Sequence, residues 1–266
     1  MVKRVSLVIM ILWLVQPMQG VFADPYDGEH RSPAYVERDN WRHPRQTLGF
    51  FDVQPWMTVV EIWPAGGWYT EILAPLLKER GKLYAAHFPA GIGVTFYDLS
   101  RKRFEEKAEA NPGIYGEMVV SSFDPARGIL EVPEGAADRV LTFRNVHNWL
   151  RNDSEARAFR LFFRALKPGG VLGVVEHRAR KGVCRDVMLT SGYMSEDYVI
   201  KLAEAAGFVL EAKSDINANP RDTTVHPAGV WTLPPTLRLG AEDRKTYLNI
   251  GESDRMTLKF RKPVES

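Results

Sequence analysis

The segment that most constrains this chain is Val59-Val60-Glu61-Ile62-Trp63-Pro64-Ala65-Gly66-Gly67-Trp68-Tyr69-Thr70. It reads as a buried strand, a tight turn of small residues and a helix start. In α/β proteins that is where nucleotide-like ligands are held, because glycines let backbone N–H groups at a helix N-terminus approach the ligand closely. Gly66, Gly67 and the helix-opening Thr70 are candidates for that contact.

Strands and helices alternate from Met57 onward, which predicts a mostly parallel sheet with helices on both faces. Thr58–Ile62 is the first strand. Tyr69, Ile72, Leu73, Leu76 and Leu77 follow at helical spacing, and 82–86 is a second strand. A charged helix over 96–110 precedes a third strand at 117–120 and a fourth at 138–143. Asn152 and Glu155 form a capping pair before a helix whose face carries Phe159, Phe162, Phe163 and Leu166. Lys167-Pro168-Gly169-Gly170 stops that helix before a fifth strand, 171–175. Ser195 caps a helix with Met194 and Val199 as its staple, 208–213 is a sixth strand, and 256–260 alternates as a seventh.

The ends divide separately. Lys3 and Arg4, the apolar run from Val5 to Val15 and the small residues before Asp24 read as a signal peptide, 1–23, cut after Ala23. The run is shorter than the roughly 20 residues of a membrane span. Residues 24–50 are a polar, proline-containing lead-in with one short helix near 34–40. The domain itself is 51–266, and its proline-rich stretch 217–254 reads as an insertion covering something. The mature chain is therefore expected in the periplasm or secreted, without a stable membrane span. A net charge of +2 gives no reason to expect nucleic acid. With one cysteine, Cys184, there is no internal disulfide, so packing must supply stability.

Together, the order of elements, the motif Glu61 to Gly67, the Lys167–Gly170 turn and the helix running to Ala205-Ala206-Gly207-Phe208 resemble the class I S-adenosylmethionine-dependent methyltransferases. The likeness is closer still to their exported branch of predicted methyltransferases, and it runs from about Thr47 to Phe260. It implies a Rossmann-like fold, a seven-stranded sheet with an antiparallel last strand, and S-adenosylmethionine as cofactor. The methyl acceptor would be a small molecule or an envelope component.

Carried over residue by residue, Glu61 matches the acid near the amino-acid end of the cofactor; capping nearby amides is its other reading. The family's three alternating glycines stand here as Trp63, Ala65 and Gly67. Ala65 costs little if its backbone angles stay ordinary, whereas Trp63 either walls the pocket or fills it. The acid that grips the ribose falls about 20 residues past the turn, where this chain has His87. An imidazole cannot accept two hydrogen bonds as a carboxylate does, so His87 is either an altered ribose contact or a plain loop residue. Asp124 matches the carboxylate beside the adenine, or is ordinary turn chemistry before Pro125.

Asn145 and His147 follow the fourth strand, where strand order reverses, and are the best candidates for cofactor and acceptor contact; Trp149 reads as core. His147 and His177 both leave the carboxyl edge of the sheet and are candidate bases. The spacing of His87, His147 and His177 shows no metal-binding pattern, so no metal is expected. Asp254-Arg255 before the last strand either places a guanidinium at the sheet edge or over the pocket, or forms a surface ion pair, the plainer reading. Two other functions stay open: a non-catalytic binding protein on a degenerate methyltransferase fold, and an NAD(P)-dependent oxidoreductase.

Overall fold

The computed structural model describes residues 24–264, so the expected signal peptide lies outside the described residues. Three short helices, α1 (Pro33–Val36), α2 (Asp39–Arg42) and α3 (Pro44–Phe50), precede the alternation. It runs β1 (Thr58–Ile62), α4 (Thr70–Leu77), β2 (Lys82–His87), α5 (Thr95–Ala110), α6 (Pro112–Tyr115), β3 (Val119–Asp124), β4 (Ile129–Leu130) and β5 (Ala137–Phe143). It continues through α7 (Val146–Leu150), α8 (Glu155–Ala165), β6 (Leu166–His177), α9 (Arg185–Ser191), α10 (Glu196–Ala205) and β7 (Val209–Ser214). A 3-10 turn (Gly229–Thr232), α11 (Arg244–Ile250) and β8 (Arg255–Arg261) close the chain.

The strands form one sheet in the order β4-β3-β2-β1-β5-β6-β8-β7. β1 pairs in parallel with both β2 and β5, so the chain builds outward to β3 and β4 and then returns to the other side of β1. That reversal opens a crevice at the carboxyl ends of β1 and β5, where ligands enter such sheets. β8 runs antiparallel between β6 and β7. Successive strand residues serve opposite faces: Val60, Ile62 and Val140 join one apolar cluster, Val59 and Leu141 the other.

Several expectations change. The sheet has eight strands, because β4 folds back on the end of β3 in a short antiparallel pair. The third strand extends through Ser121, Ser122, Phe123 and Asp124, which puts Asp124 on its last residue. Ser154, not Asn152, stands at the N-cap of α8, and its side chain makes no capping bond. Lys167 to Gly170 bulge out within β6, whose pairing with β5 jumps from Leu166 to Val171. Ser195 does cap α10, its hydroxyl accepting the Tyr198 N–H at 3.4 Å.

The lead-in is part of the domain. Leu48 and Phe51 share a buried cluster with Val59 and Ile72, which leaves no boundary at residue 50. Glu71 of α4 fixes it further, accepting from Ser32 N and Oγ at 3.0 and 2.6 Å. The insertion 217–254 is pinned as well. Asn217 Nδ2 donates to Thr47 and Thr257 hydroxyls at 3.0 and 2.9 Å, and Asn219 Nδ2 donates to Ile250 and Glu252 carbonyls at 2.9 and 2.7 Å.

Candidate functional site

A cavity of about 550 Å³ opens at the reversal point. Glu61, Trp63 and Ala65 line it from β1 and its turn, Arg144 and Asn145 from the β5–α7 connection, His147 from α7, and His177 from the end of β6. Val230, Trp231, Pro234 and Pro235, from the stretch between β7 and β8, line it on a further side. Arg151 and Arg238 each stack on the Trp231 ring at 4.7 Å, which steadies that wall.

The turn after β1 keeps the backbone shape of a glycine turn with a glycine at only the last of its three alternating positions. Trp63, Ala65 and Gly67 all have positive φ, at 45°, 53° and 82°. The condition under which Ala65 would cost little is not met: both side-chain-bearing residues sit in the left-handed region, each at a cost of about 1–2 kcal/mol.

Trp63 bears that cost because its indole is packed. It lies 4.7 Å from Phe88, 5.8 Å from Phe123 and 5.7 Å from Trp149 between ring centroids, and its Nε1–H donates to the Phe123 carbonyl at 3.0 Å. It is a partition: one side lines the main cavity, and the other lines a smaller one of about 170 Å³ that Asp124 borders. Trp63→Gly is expected to regain about 1–2 kcal/mol of strain and to forfeit up to about 3–5 kcal/mol of aromatic packing. A net loss of about 2 kcal/mol in a urea unfolding curve checks that balance.

Glu61 is buried, and its carboxylate accepts from Thr70 Oγ1 at 2.6 Å rather than from backbone amides. Burial pushes its pKa up to about 7, against the pull of the Thr70 hydrogen bond and Lys107. Thr70 thus positions the acid and does not itself line the cavity. Gly66 is exposed, its carbonyl accepting from Tyr35 and Lys107. A side chain on Gly67 would point at Phe104 and Thr70, away from the cavity.

His87 is not among the residues lining the cavity. It ends β2 fully buried, Nδ1 accepting the Phe88 N–H at 2.8 Å and Nε2 lying 3.2 Å from the Ala65 carbonyl. A ring with Nδ1 accepting and Nε2 donating is neutral, and burial holds its pKa down at about 4. Its task is to brace the strained turn. Asp124 likewise serves its own turn, accepting the Arg127 N–H at 3.1 Å, and borders only the smaller cavity.

The residues around the β5 and β6 ends do converge. Asn145 Nδ2 donates to the Ile62 carbonyl at 2.9 Å, tying the end of β1 to that of β5. His147 Nδ1 lies 3.1 Å from Glu176 Oε1, and the carboxylate also accepts the His147 and His177 N–H groups at 3.3 and 2.8 Å. A carboxylate accepts, so the proton sits on Nδ1 and Nε2 is left as a base. The His177 ring centroid is 5.2 Å from that of His147, and its Nδ1 meets Ser253 Oγ at 2.6 Å. Burial first, then the guanidinium charges of Arg144, Arg255 and Arg42, hold His177 well below the usual histidine range, and protonation of His147 would lower it further.

Two histidines and Glu176 thus offer donor atoms all within 4.8 Å of one another, a grouping that could hold a metal ion and that the sequence did not predict. His87 is not part of it. Glu176, Arg144, Arg42 and Trp231 also went unpredicted, though Glu176 and Arg144 each adjoin a predicted residue. Arg255 is no surface residue: it is 2% exposed, donates to Glu252 and to the Trp41 carbonyl, and leaves Arg178 to pair with Asp254.

No protein-family model matches the sequence, and no curated protein is significantly similar to it. Solved structures do match. A SAM-dependent methyltransferase from Aquifex aeolicus superposes with a TM-score of 0.58 at 15% identity, over 87% of this chain and 94% of that one. The [4+2]-cyclase SpnF gives 0.58 at 17%, over 90% and 86%. A protein of Bordetella parapertussis described as a possible exported protein gives 0.51 at 17%, over 88% and 71%. Together with the order of the strands, the antiparallel β8 and the cavity at the β1–β5 reversal, these likenesses show that the chain has the Rossmann-like fold of S-adenosylmethionine-dependent methyltransferases.

Proposed function

We propose that this protein transfers a methyl group from S-adenosylmethionine to a small-molecule or envelope-component acceptor outside the cytoplasm. The reading is carried by one observation: a buried acid, Glu61, and a carboxylate-oriented base, His147, open into the same cavity at the strand-order reversal. The cavity is of ligand size. Glu61 suits the ammonium end of the cofactor, and the faces of Trp63, Phe88 and Tyr97 suit its purine. The ribose meets no acid, since the His87 ring is used by the turn.

When bound, S-adenosylmethionine supplies an electrophilic methyl group for in-line displacement. Glu61 and the turn hold the donor, the Trp231 wall excludes water, and alignment supplies much of the rate. His147 Nε2 takes the acceptor's proton, and Glu176 stabilises the imidazolium that results. The N-terminal pattern of residues 1–23 supports export, as does likeness to a possible exported protein.

A second reading, a binding protein without catalysis, is favoured by Trp63 and His87, because the chain has spent both positions on its own packing. Fold does not choose between them, since one neighbour is a cyclase. Isothermal titration of residues 24–266 with S-adenosylmethionine and S-adenosylhomocysteine decides. Binding of both is expected, and Ala65→Trp, which places an indole in the cavity, should abolish it with the circular dichroism unchanged. Binding of neither by a folded protein ends the methyltransferase reading. Binding of nicotinamide cofactors instead would favour the oxidoreductase reading over the transferase.

A further inference from the structure

The inner end of the cavity carries more positive charge than its neighbours neutralise. Arg42, at the end of α2, is 3% exposed and lines the cavity; its Nε meets Glu252 at 3.2 Å, but its Nη2 is buried with no hydrogen-bond partner. Arg144 lines the same cavity from the β5–α7 connection. Its backbone N–H donates to the Val175 carbonyl at 2.7 Å, and its φ of 62° holds it in the left-handed region. Among the described residues its guanidinium makes no hydrogen bond or ion pair. Burial and the nearby Arg255 pull its pKa down to about 10, which leaves it charged at neutral pH.

The local carboxylates are already engaged. Glu252 pairs with Arg38, Arg42 and Arg255, and Glu176 serves His147 and two backbone amides. Arg144 is half-buried at the cavity wall and Arg42 Nη2 is buried beside it without a partner, so an anion entering the cavity would supply the hydrogen-bond acceptors that both guanidinia lack. A guanidinium presents paired donors that match a carboxylate or phosphate. The alternative occupant, a divalent cation on His147, Glu176 and His177, faces an opposing field. The same guanidinia of Arg144, Arg255 and Arg42 that help keep His177 neutral would repel it.

We infer that the acceptor carries an anionic group, a carboxylate or a phosphate, received by Arg144 with Arg42 behind it, which brings the acceptor's nucleophile to His147. The inference rests on the transferase reading for the word acceptor. The anion site stands apart from it.

Isothermal titration of residues 24–266 at constant ionic strength tests this with inorganic phosphate and benzoate as separate probes. Saturable binding of at least one is expected, the tighter probe naming the class. Arg144→Met should weaken it at least tenfold, Arg144→Lys should keep part of it, and both variants should bind S-adenosylhomocysteine like the unaltered chain. Absence of binding by the unaltered chain overturns the inference, as does unchanged affinity in folded Arg144→Met. Loss of S-adenosylhomocysteine binding in both variants overturns it too, by assigning the guanidinium to the cofactor's carboxylate. Stoichiometric zinc binding that His147→Ala removes, without anion binding, overturns it in favour of a metal centre. Anion binding without S-adenosylhomocysteine binding supports the anion site and ends the transferase reading instead.

Discussion

Glutamine in place of Glu252 is expected to lower the unfolding free energy by about 3–5 kcal/mol. This carboxylate is 2% exposed and meets Arg38 Nε at 2.5 Å, Arg42 Nε at 3.2 Å and Arg255 Nη2. Burial pushes its pKa up, but Arg255, Arg42, Arg144 and Arg38 outweigh burial and hold it well below the usual carboxylate range. Removing the charge strands the guanidinia beneath the cavity without a partner. It also unfastens the lead-in from β8, since Arg38 and Arg42 come from one and Arg255 from the other. Because the folded pKa is depressed, the stabilisation is present above the ordinary value of 4.5 and is lost as pH falls below it. Urea unfolding near neutral pH should show a lower midpoint with an unchanged slope. A loss under about 1 kcal/mol would mean that the cluster relaxes around the amide.

S-adenosylhomocysteine is expected to bind more tightly as pH rises through about 7, the value to which burial pushes Glu61. Its ammonium needs an ionised partner, so below that value affinity should fall by about tenfold per pH unit, and above it affinity should level off. Glu61→Gln should remove the pH dependence and cost about 2–5 kcal/mol of binding, a loss of at least roughly thirtyfold. The same carboxyl acts in the opposite direction on stability. Its folded pKa is raised above 4.5, so the protonated form's contribution is fully present below 4.5 and is lost as pH rises through about 7. The amide should therefore stabilise the chain near pH 8 by up to about 3 kcal/mol while weakening binding. Titrations at about pH 6, 7 and 8, paired with thermal melts, read both effects. Affinity that ignores pH and the substitution would place the ligand's ammonium elsewhere.

The fold was legible because its signal is periodic. Buried strands such as Val59–Ile62 and the helix face of Phe159 and Phe162 are local patterns that burial on two faces of a sheet produces directly. β4 was not legible, since two residues folding back on β3 leave no period to read. Within the site, Glu61, Asn145, His147 and His177 could be named because each ends or follows a recognisable strand at the reversal point. His87 and Asp124 could be aligned just as well, yet their side chains turn to the Ala65 carbonyl and the Arg127 N–H. Alignment gives a residue's place along the chain, whereas the direction of its side chain depends on neighbours remote in sequence.

From the sequence alone came the α/β alternation, the strand, turn and helix at Glu61 to Thr70, and the departures at Trp63, Ala65 and His87. The tertiary structure alone decided what those departures do. Trp63 and Ala65 hold left-handed angles because Phe88, Phe123, Trp149 and His87 brace them, and these contacts come from other strands and helices. The positive inner end of the cavity is likewise a tertiary product. Arg42, Arg144 and Glu252 lie about a hundred residues apart in sequence, and only the packing of the lead-in, the β5–α7 connection and the segment before β8 brings their charges together at one end of the cavity.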